Sequence, residues 1–182
     1  MTYAAAAQRF RVPLGFVLAA LYLAFVRPTP AAFLLGGCIA FAGLLVRAWA
    51  AGHIVKNNAL ATSGPYAHTR NPLYFGSFLI AAGFSLVAHW SLLLLVSAFF
   101  AAVYVPVIER EHAHISSRFP DAYAEYARNV PAFVPRPRPW RADAADAGGF
   151  SLDLYLRHRE WRATVAFLGV IAFLVFRMRA GQ

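Results

Sequence analysis

Residues 71–108 read NPLYFGSFLIAAGFSLVAHWSLLLLVSAFFAAVYVPVI, a run of 38 residues without Asp, Glu, Lys or Arg. A helix that crosses the hydrocarbon core of a bilayer needs about 20 apolar residues. The run is therefore too long for a single membrane helix. It divides at His89-Trp90, and we predict two spans between Leu73 and Ile108 that form a tight helical hairpin.

Three further stretches, uncharged apart from Arg47 in the second, predict membrane helices at Val12–Val26, at Pro30–Ala50 and, as a short last span, at Ala163–Phe176. Hydrophobic residues make up 60% of the 182-residue chain and charged residues 14%, whereas a soluble domain is about 25% charged. This composition excludes a soluble globular domain, a disordered chain and a disulfide scaffold. We predict an all-α integral membrane bundle with about five transmembrane helices.

The charged residues predict how the bundle is oriented. The chain carries 17 basic and 8 acidic residues, a formal net charge of +9, and the arginines flank the apolar spans as interfacial anchors do. A nucleic-acid partner is not expected, because such binding needs a soluble basic face. The bias toward positive charge predicts an internal N-terminus. Residues 51–72 and 109–162 then meet at the cytosolic mouth of the hairpin.

The first of these polar segments contains two turn signals, Gly64-Pro65 and Asn71-Pro72. Tyr66, His68 and Arg70 lie between them, at the entrance of a predicted helix. On composition alone, an ordinary belt of basic and aromatic side chains at the membrane surface is the preferred explanation of these residues.

The second polar segment begins with Glu109-Arg110-Glu111. Acidic residues near a bilayer are costly unless they are paired or used. His112 and His114 are two residues apart and do not share a helix face, so we expect no zinc site. Farther along, apolar groups recur at helical spacing, which predicts a short amphipathic helix that ends at Pro131 and lies on the membrane surface.

Three motifs stand in order along the two segments. They are Leu60-x-Thr62-Ser63-Gly64-Pro65-Tyr66, Arg70-Asn71-Pro72-x-Tyr74-x-Gly76, and Glu111 followed by Phe119-x-x-x-Tyr123-x-x-Tyr126-x-x-x-Val130-Pro131. Together, around a helical hairpin, they resemble the isoprenylcysteine carboxyl methyltransferase family, which shares its domain with the phospholipid N-methyltransferases. The resemblance covers about residues 55–137.

The resemblance implies a membrane methyltransferase that uses S-adenosyl-L-methionine and acts on a lipophilic small molecule or lipid. By position, the cofactor-binding residues would be Asn58, Ala59, Leu60, Ala61, Gly64, Tyr66, Asn71, Pro72, Leu73, Tyr74, Glu111 and His112. Those required for activity would be Arg70, Tyr74 and Glu111. Glu111 would pair with the cofactor ammonium, tyrosine faces would attract the sulfonium, and Arg70 would meet the carboxylate or line the site.

Two departures from the family concern the cofactor motifs. The family often has histidine where Asn58 and Asn71 stand, and asparagine keeps a hydrogen-bond donor and acceptor but does not titrate. The family's doubled glutamate is replaced here by Glu111-His112.

A third departure concerns the acceptor. The arginine that carboxyl methyltransferases place one helical turn before the glutamate falls at Val107. A carboxylate substrate then lacks an obvious counter-ion, unless Arg110 or Arg47 substitutes. This departure weakens the prediction of carboxyl methylation, and the prediction of methyl transfer is unaffected.

The same pattern leaves other functions open. The alternatives are a phospholipid-type N-methyltransferase, an NADPH-dependent membrane reductase and a non-catalytic membrane scaffold.

The spans and motifs also divide the chain into three parts. We divide it into N-terminal membrane helices (residues 1–52), a methyltransferase core (53–140) and a C-terminal segment (141–182). In that segment, Tyr155–Arg162 is interpreted as an anchor of the last helix rather than a cover of the site. The oligomeric state stays open.

Overall fold

The computed structural model describes residues 3–53, 60–141 and 149–180, and within these ranges it contains helices and no strand. The α-helices are α1 (Tyr3–Phe25), α2 (Pro30–Ala51), α3 (Pro72–Ala88), α4 (Trp90–Arg118), α5 (Pro120–Asn129), α6 (Leu152–Arg157) and α7 (Trp161–Ala180), with a 3₁₀ helix at Gly64–Ala67. The predicted all-α membrane bundle is confirmed.

Five of these helices contain long apolar stretches. In the described ranges α2, α4 and α7 are long and apolar enough to cross a bilayer, and shorter apolar stretches lie at Val12–Phe25 and Pro72–Ala88. The last span is longer than the sequence predicted, since α7 has 20 residues. The prediction counted only its uncharged part, whereas Arg177 and Arg179 continue the helix with long side chains that can reach the interface.

Short caps hold the two turns at the end of the bundle away from the polar segments. Thr29 caps α2 by accepting a hydrogen bond from the Ala32 amide, and Pro30 occupies the first helical position. His89 alone separates α3 from α4, and its Nδ1 accepts a hydrogen bond from the Ser91 amide at 3.2 Å. The tight hairpin predicted from the sequence is therefore present.

Glycines bring α2 and α3 into close contact. A Cβ atom on Gly36 would lie 2.4 Å from the Gly83 carbonyl oxygen, and one on Gly43 would lie 2.6 Å from the Gly76 carbonyl oxygen. Small residues at such positions let membrane helices approach through their backbones. We call these four residues the glycine contact; it places Arg47 of α2 directly beside Gly76 of α3.

Helix α7 packs on this pair, while much of the bundle surface stays apolar. Phe167 of α7 is buried with Ala40 and Leu44 of α2. On the outside, large side chains such as Phe16 and Phe25 are 73% and 77% exposed. Exposed apolar surface of this extent is typical of a protein that faces lipid.

Helix α5 folds back onto the loop before α3. Tyr123, Tyr126 and Val130 are buried in one cluster, against which Leu60 and Trp140 pack. The predicted amphipathic helix is thus present and ends before Pro131, but its apolar face packs on protein and not on the membrane surface. A pattern of apolar spacing identifies the buried face of a helix, not the material that covers it.

Candidate functional site

Backbone hydrogen bonds join the two polar segments. The Arg70 amide donates to the Pro131 carbonyl, and the Arg136 amide donates to the His68 carbonyl, both at 2.9 Å. The segment before α3 and the segment after α5 therefore form one unit at the mouth of the hairpin, as the sequence predicts.

Asn71 links the entrance of α3 to α4. Its side chain does not cap α3; its amide nitrogen lies 2.8 Å from Nε2 of His112 and 2.7 Å from the Ala132 carbonyl oxygen. An amide nitrogen can only donate, so Nε2 accepts and His112 is a neutral imidazole in this arrangement. The asparagine that departs from the family pattern thus holds both segments.

Near this link, the carboxylate of Glu111 lies close to the aromatic ring of Tyr74, which packs on Tyr104. The Tyr74 hydroxyl donates to Glu111 Oε1 at 2.8 Å, and the Tyr74 and Tyr104 rings meet edge to face with centroids 5.7 Å apart. Glu111 is exposed. Negative charge beside aromatic faces suits a ligand that carries positive charge.

Arg70 supplies positive charge to the site and has a hydrogen-bond donor that no described residue uses. One terminal nitrogen donates to the Tyr123 hydroxyl at 2.9 Å, and the guanidinium carbon lies 5.8 Å from the Tyr123 ring centroid. Its Nε is buried and has no hydrogen-bond partner within the described part of the chain. Such buried donors without partners are uncommon, and a ligand is one explanation for them.

Tyr66 has a second buried group without a partner. Its carbonyl accepts a hydrogen bond from the Tyr126 hydroxyl at 2.7 Å, but its own hydroxyl finds none among the described residues. Burial raises the pKa of Tyr66; the negative charges of Glu111 and Glu160 raise it further, and Arg47 lowers it. The hydroxyl is thus within electrostatic reach of both Glu111 and the Arg47–Glu160 pair.

Arg47 is already paired. Its Nε donates to Glu160 Oε1, and its Nη1 donates to the Ser77 hydroxyl and the Leu73 carbonyl. The alternative in which Arg47 is a free counter-ion for a carboxylate is therefore not what the structure shows. Val107, at the family's arginine position, is 2% exposed and packed in the bundle.

Six predicted site residues come together at the hairpin mouth: Tyr66, Arg70, Asn71, Tyr74, Glu111 and His112. Pro72 is fully buried at the start of α3, and Leu60 packs in the tyrosine cluster of α5. Gly64 adopts a φ of 56°, and a Cβ there would lie 2.5 Å from the His53 ring.

The remaining predicted residues have smaller roles or lie elsewhere. Leu73 contributes its carbonyl oxygen to Arg47, and Ala61 is half-buried in the loop. Asn58 and Ala59 lie outside the described residues. Their predicted role in cofactor binding stays a prediction.

Sequence reasoning gave no role in the site to three residues that shape it. Tyr123 supports Arg70, and Thr69, which is 1% exposed, donates to the Phe133 carbonyl oxygen at 2.9 Å. Glu160, 8% exposed, turns inward to Arg47. An acidic residue directly before an apolar span is a signal that could have identified Glu160.

Comparisons with known proteins agree with the motifs. A sequence profile described as phospholipid methyltransferase matches residues 10–122, which include α2, α3 and α4 and exclude α6 and α7. The protein-S-isoprenylcysteine O-methyltransferase of Schizosaccharomyces pombe is 35% identical over 81 residues, or 44% of this chain and 34% of that protein.

Two bacterial relatives carry other names. The cobalt-zinc-cadmium resistance protein CzcN of Cupriavidus metallidurans is 36% identical over 143 residues, or 74% of this chain and 66% of that protein. The nickel-cobalt-cadmium resistance protein NccN of Alcaligenes xylosoxydans xylosoxydans is 35% identical over 101 residues, or 54% and 47%. The chain spans less than two thirds of each of these relatives. No solved structure matches it.

Proposed function

Since the chain belongs to the phospholipid methyltransferase family, a family of membrane methyltransferases, we propose that it transfers a methyl group from S-adenosyl-L-methionine to a lipophilic acceptor. The observation that supports this most directly is that two of the three buried side-chain polar atoms without a hydrogen-bond partner among the described residues, Tyr66 Oη and Arg70 Nε, belong to this site. A ligand that meets these atoms would remove the free-energy penalty of leaving them unpaired.

The residues at the hairpin mouth fit the charges of this cofactor. Its carboxylate suits the spare donor of Arg70, its ammonium suits Glu111, and its sulfonium suits the faces of Tyr74 and Tyr104. When bound, the cofactor supplies a methyl group on positively charged sulfur.

The protein's own contribution is positioning. The Asn71 bridge to His112 and Ala132 holds the entrance of α3 against α4 and the loop after α5, and the buried tyrosines of α5 close that side to water. Methyl transfer needs alignment of the two reactants more than acids and bases. In this proposal Arg70, Tyr74 and Glu111 are required for activity, and the pocket faces the cytosol.

The test is cofactor binding to the detergent-purified protein, by calorimetric titration with S-adenosyl-L-methionine and, separately, with NADPH. We expect only S-adenosyl-L-methionine to bind. Glu111→Gln should weaken binding by about tenfold or more, as expected for a lost charge-assisted contact worth over about 1.4 kcal/mol. The matched control is Glu109→Gln, which changes an exposed neighbour on the same helix.

Other results would contradict the proposal. Binding of NADPH alone would favour the membrane reductase, and failure to bind either molecule would favour the scaffold. Unchanged affinity in Glu111→Gln would refute this assignment of the pocket.

A further inference from the structure

A cavity of about 350 Å³ lies between α2, α3 and α7, within the size range of ligand pockets, about 300–1,000 Å³. Its lining residues are Arg47, Ser77, Ile80, Phe84, Ala163, Ala166, Phe167 and Val170. All but Arg47 and Ser77 are apolar. Ala166 is also exposed at the bundle surface, so the cavity can be reached from the bilayer.

The polar end of the cavity and the candidate cofactor pocket share the first turns of α3. Ser77 lies one helical turn after Tyr74 on α3, and Arg47 donates to the carbonyl of Leu73, the residue before Tyr74. The Tyr66 hydroxyl is within electrostatic reach of both Glu111 and the Arg47–Glu160 pair. A molecule in the cavity would therefore present its polar end toward the pocket.

The charge at this end is balanced. Glu160 neutralises Arg47, and the hydrogen bonds of the described residues leave Nη2 of Arg47 and Oε2 of Glu160 without partners. A carboxylate ligand would add a negative charge next to Glu160, and an ammonium would meet Arg47; in an apolar cavity either charge would be uncompensated. A hydroxyl carries no charge, can accept from Arg47 and can donate to Glu160.

We propose, on the basis of the methyl transfer proposed above, that this cavity binds the methyl acceptor and that the acceptor is a lipophilic alcohol or phenol. Its apolar body lies between α3 and α7, and its hydroxyl meets the lining residue Arg47 and the carboxylate of Glu160, which pairs with Arg47. Methylation forms a carbon–oxygen bond, breaks the methyl–sulfur bond, whose electrons stay on sulfur, and releases the hydroxyl proton. Glu160 offers the carboxylate that accepts this proton. The four lining residues on α7 lie beyond the residues 10–122 that the family profile matches.

The test uses three long-chain probes, each with a diazirine in mid-chain, that differ only in a hydroxyl, carboxylate or ammonium head. Each is photolysed with the full-length protein in detergent, and the labelled peptides are identified by mass spectrometry. We expect the alcohol to label α7 at least about tenfold more than either charged probe. Ala166→Trp should fill the cavity and abolish this labelling. Leu168→Trp, at an exposed position on the same helix, should leave it unchanged.

A second variant tests the balance of charge. Glu160→Gln leaves Arg47 without its counter-ion, so the preference should move from the alcohol toward the carboxylate probe. A merely structural role for Glu160 would lower the labelling by all probes equally.

The outcomes separate this inference from the proposed function. Stronger labelling by a charged probe in the unmodified protein, or equal labelling in the two tryptophan variants, would overturn the inference even where S-adenosyl-L-methionine binds. Absence of S-adenosyl-L-methionine binding by the unmodified protein would overturn the proposed function. Ala166→Trp should still bind S-adenosyl-L-methionine, which shows that its fold is intact.

Discussion

The Tyr66 hydroxyl shows best how single residues bear on function. It is buried and unpartnered among the described residues, and leaving such a group unpaired costs about 1–3 kcal/mol. Phenylalanine would fill the same space without that penalty. The hydroxyl therefore points to a requirement other than stability.

Tyr66→Phe should leave the melting temperature unchanged or higher, because it removes an unpaired polar atom. At the same time it should lower methyl transfer or the affinity for S-adenosyl-L-methionine, since the hydroxyl is within electrostatic reach of Glu111 and of the Arg47–Glu160 pair. Thermal unfolding and calorimetric titration of the purified variant measure both effects.

Tyr126→Phe is the matched comparison. Its hydroxyl does have a partner, the Tyr66 carbonyl at 2.7 Å, so its loss should destabilise the protein by about 1 kcal/mol. If Tyr66→Phe behaved in the same way, with lower stability and unchanged binding and activity, the hydroxyl would have a structural role.

At the scale of elements, the glycine contact between α2 and α3 decides where Arg47 lies. The backbones approach so closely that Gly76 stands against the Arg47 side chain. From there Arg47 reaches Leu73 and Ser77 on α3 and Glu160 before α7. The close contact of α2 and α3 thus positions Arg47 both against the first turn of α3 and at the polar end of the cavity.

Gly36→Leu should destabilise the bundle by at least about 1–3 kcal/mol, the usual effect of overpacking, because its Cβ would meet a backbone carbonyl that cannot move aside. Gly37→Leu, the next residue along, has no atom within 4 Å of its Cβ and should be tolerated. Melting temperatures of the two variants in one detergent provide the comparison. Equal loss of stability in both would show that helix propensity, and not the glycine contact, is responsible.

The short turn between α6 and α7 directs Glu160 inward. Arg159 adopts a φ of 56°, which is uncommon for a residue other than glycine, and the chain reverses there. The Glu160 amide donates to the Tyr155 carbonyl at 3.2 Å. This turn brings the carboxylate to Arg47 while Trp161 remains exposed, as an interfacial anchor would be.

For the whole molecule, the two ends of the bundle differ in character. One end has the short turns at Thr29 and His89 and the last turn of α7, where Arg177 donates to the Val26 carbonyl. The other end holds the polar segments with the candidate pocket. The bias of positive charge predicts that the pocket end is cytosolic.

Single cysteines test this orientation. The natural cysteine, Cys38, is the only one in the sequence and is first replaced by alanine. In intact cells, a membrane-impermeant maleimide should label Ala31→Cys, at the start of α2, but should label Ala124→Cys, an exposed position on α5, only after the membrane is opened. The reverse pattern would place the pocket on the outer side.

The sequence alone was sufficient for the membrane bundle and for the pairing of its polar segments. A bilayer requires long uncharged helices, so the spans can be located from composition, and a hairpin returns its two ends to one side. For this reason the order of the motifs along the chain already predicts that Arg70, Asn71, Tyr74 and Glu111 lie together.

Only the tertiary structure decided which polar groups of the site are hydrogen-bonded or ion-paired and which have no partner among the described residues. Arg47 and Glu160 are 113 residues apart, and their pairing depends on the close approach of α2 and α3 and on the turn at Arg159. The Tyr66 hydroxyl, which has no partner among the described residues, and the protein-covered face of α5 likewise depend on burial. Charge balance and hydrogen-bond satisfaction depend on distance and surroundings in three dimensions, and a local sequence pattern does not contain them.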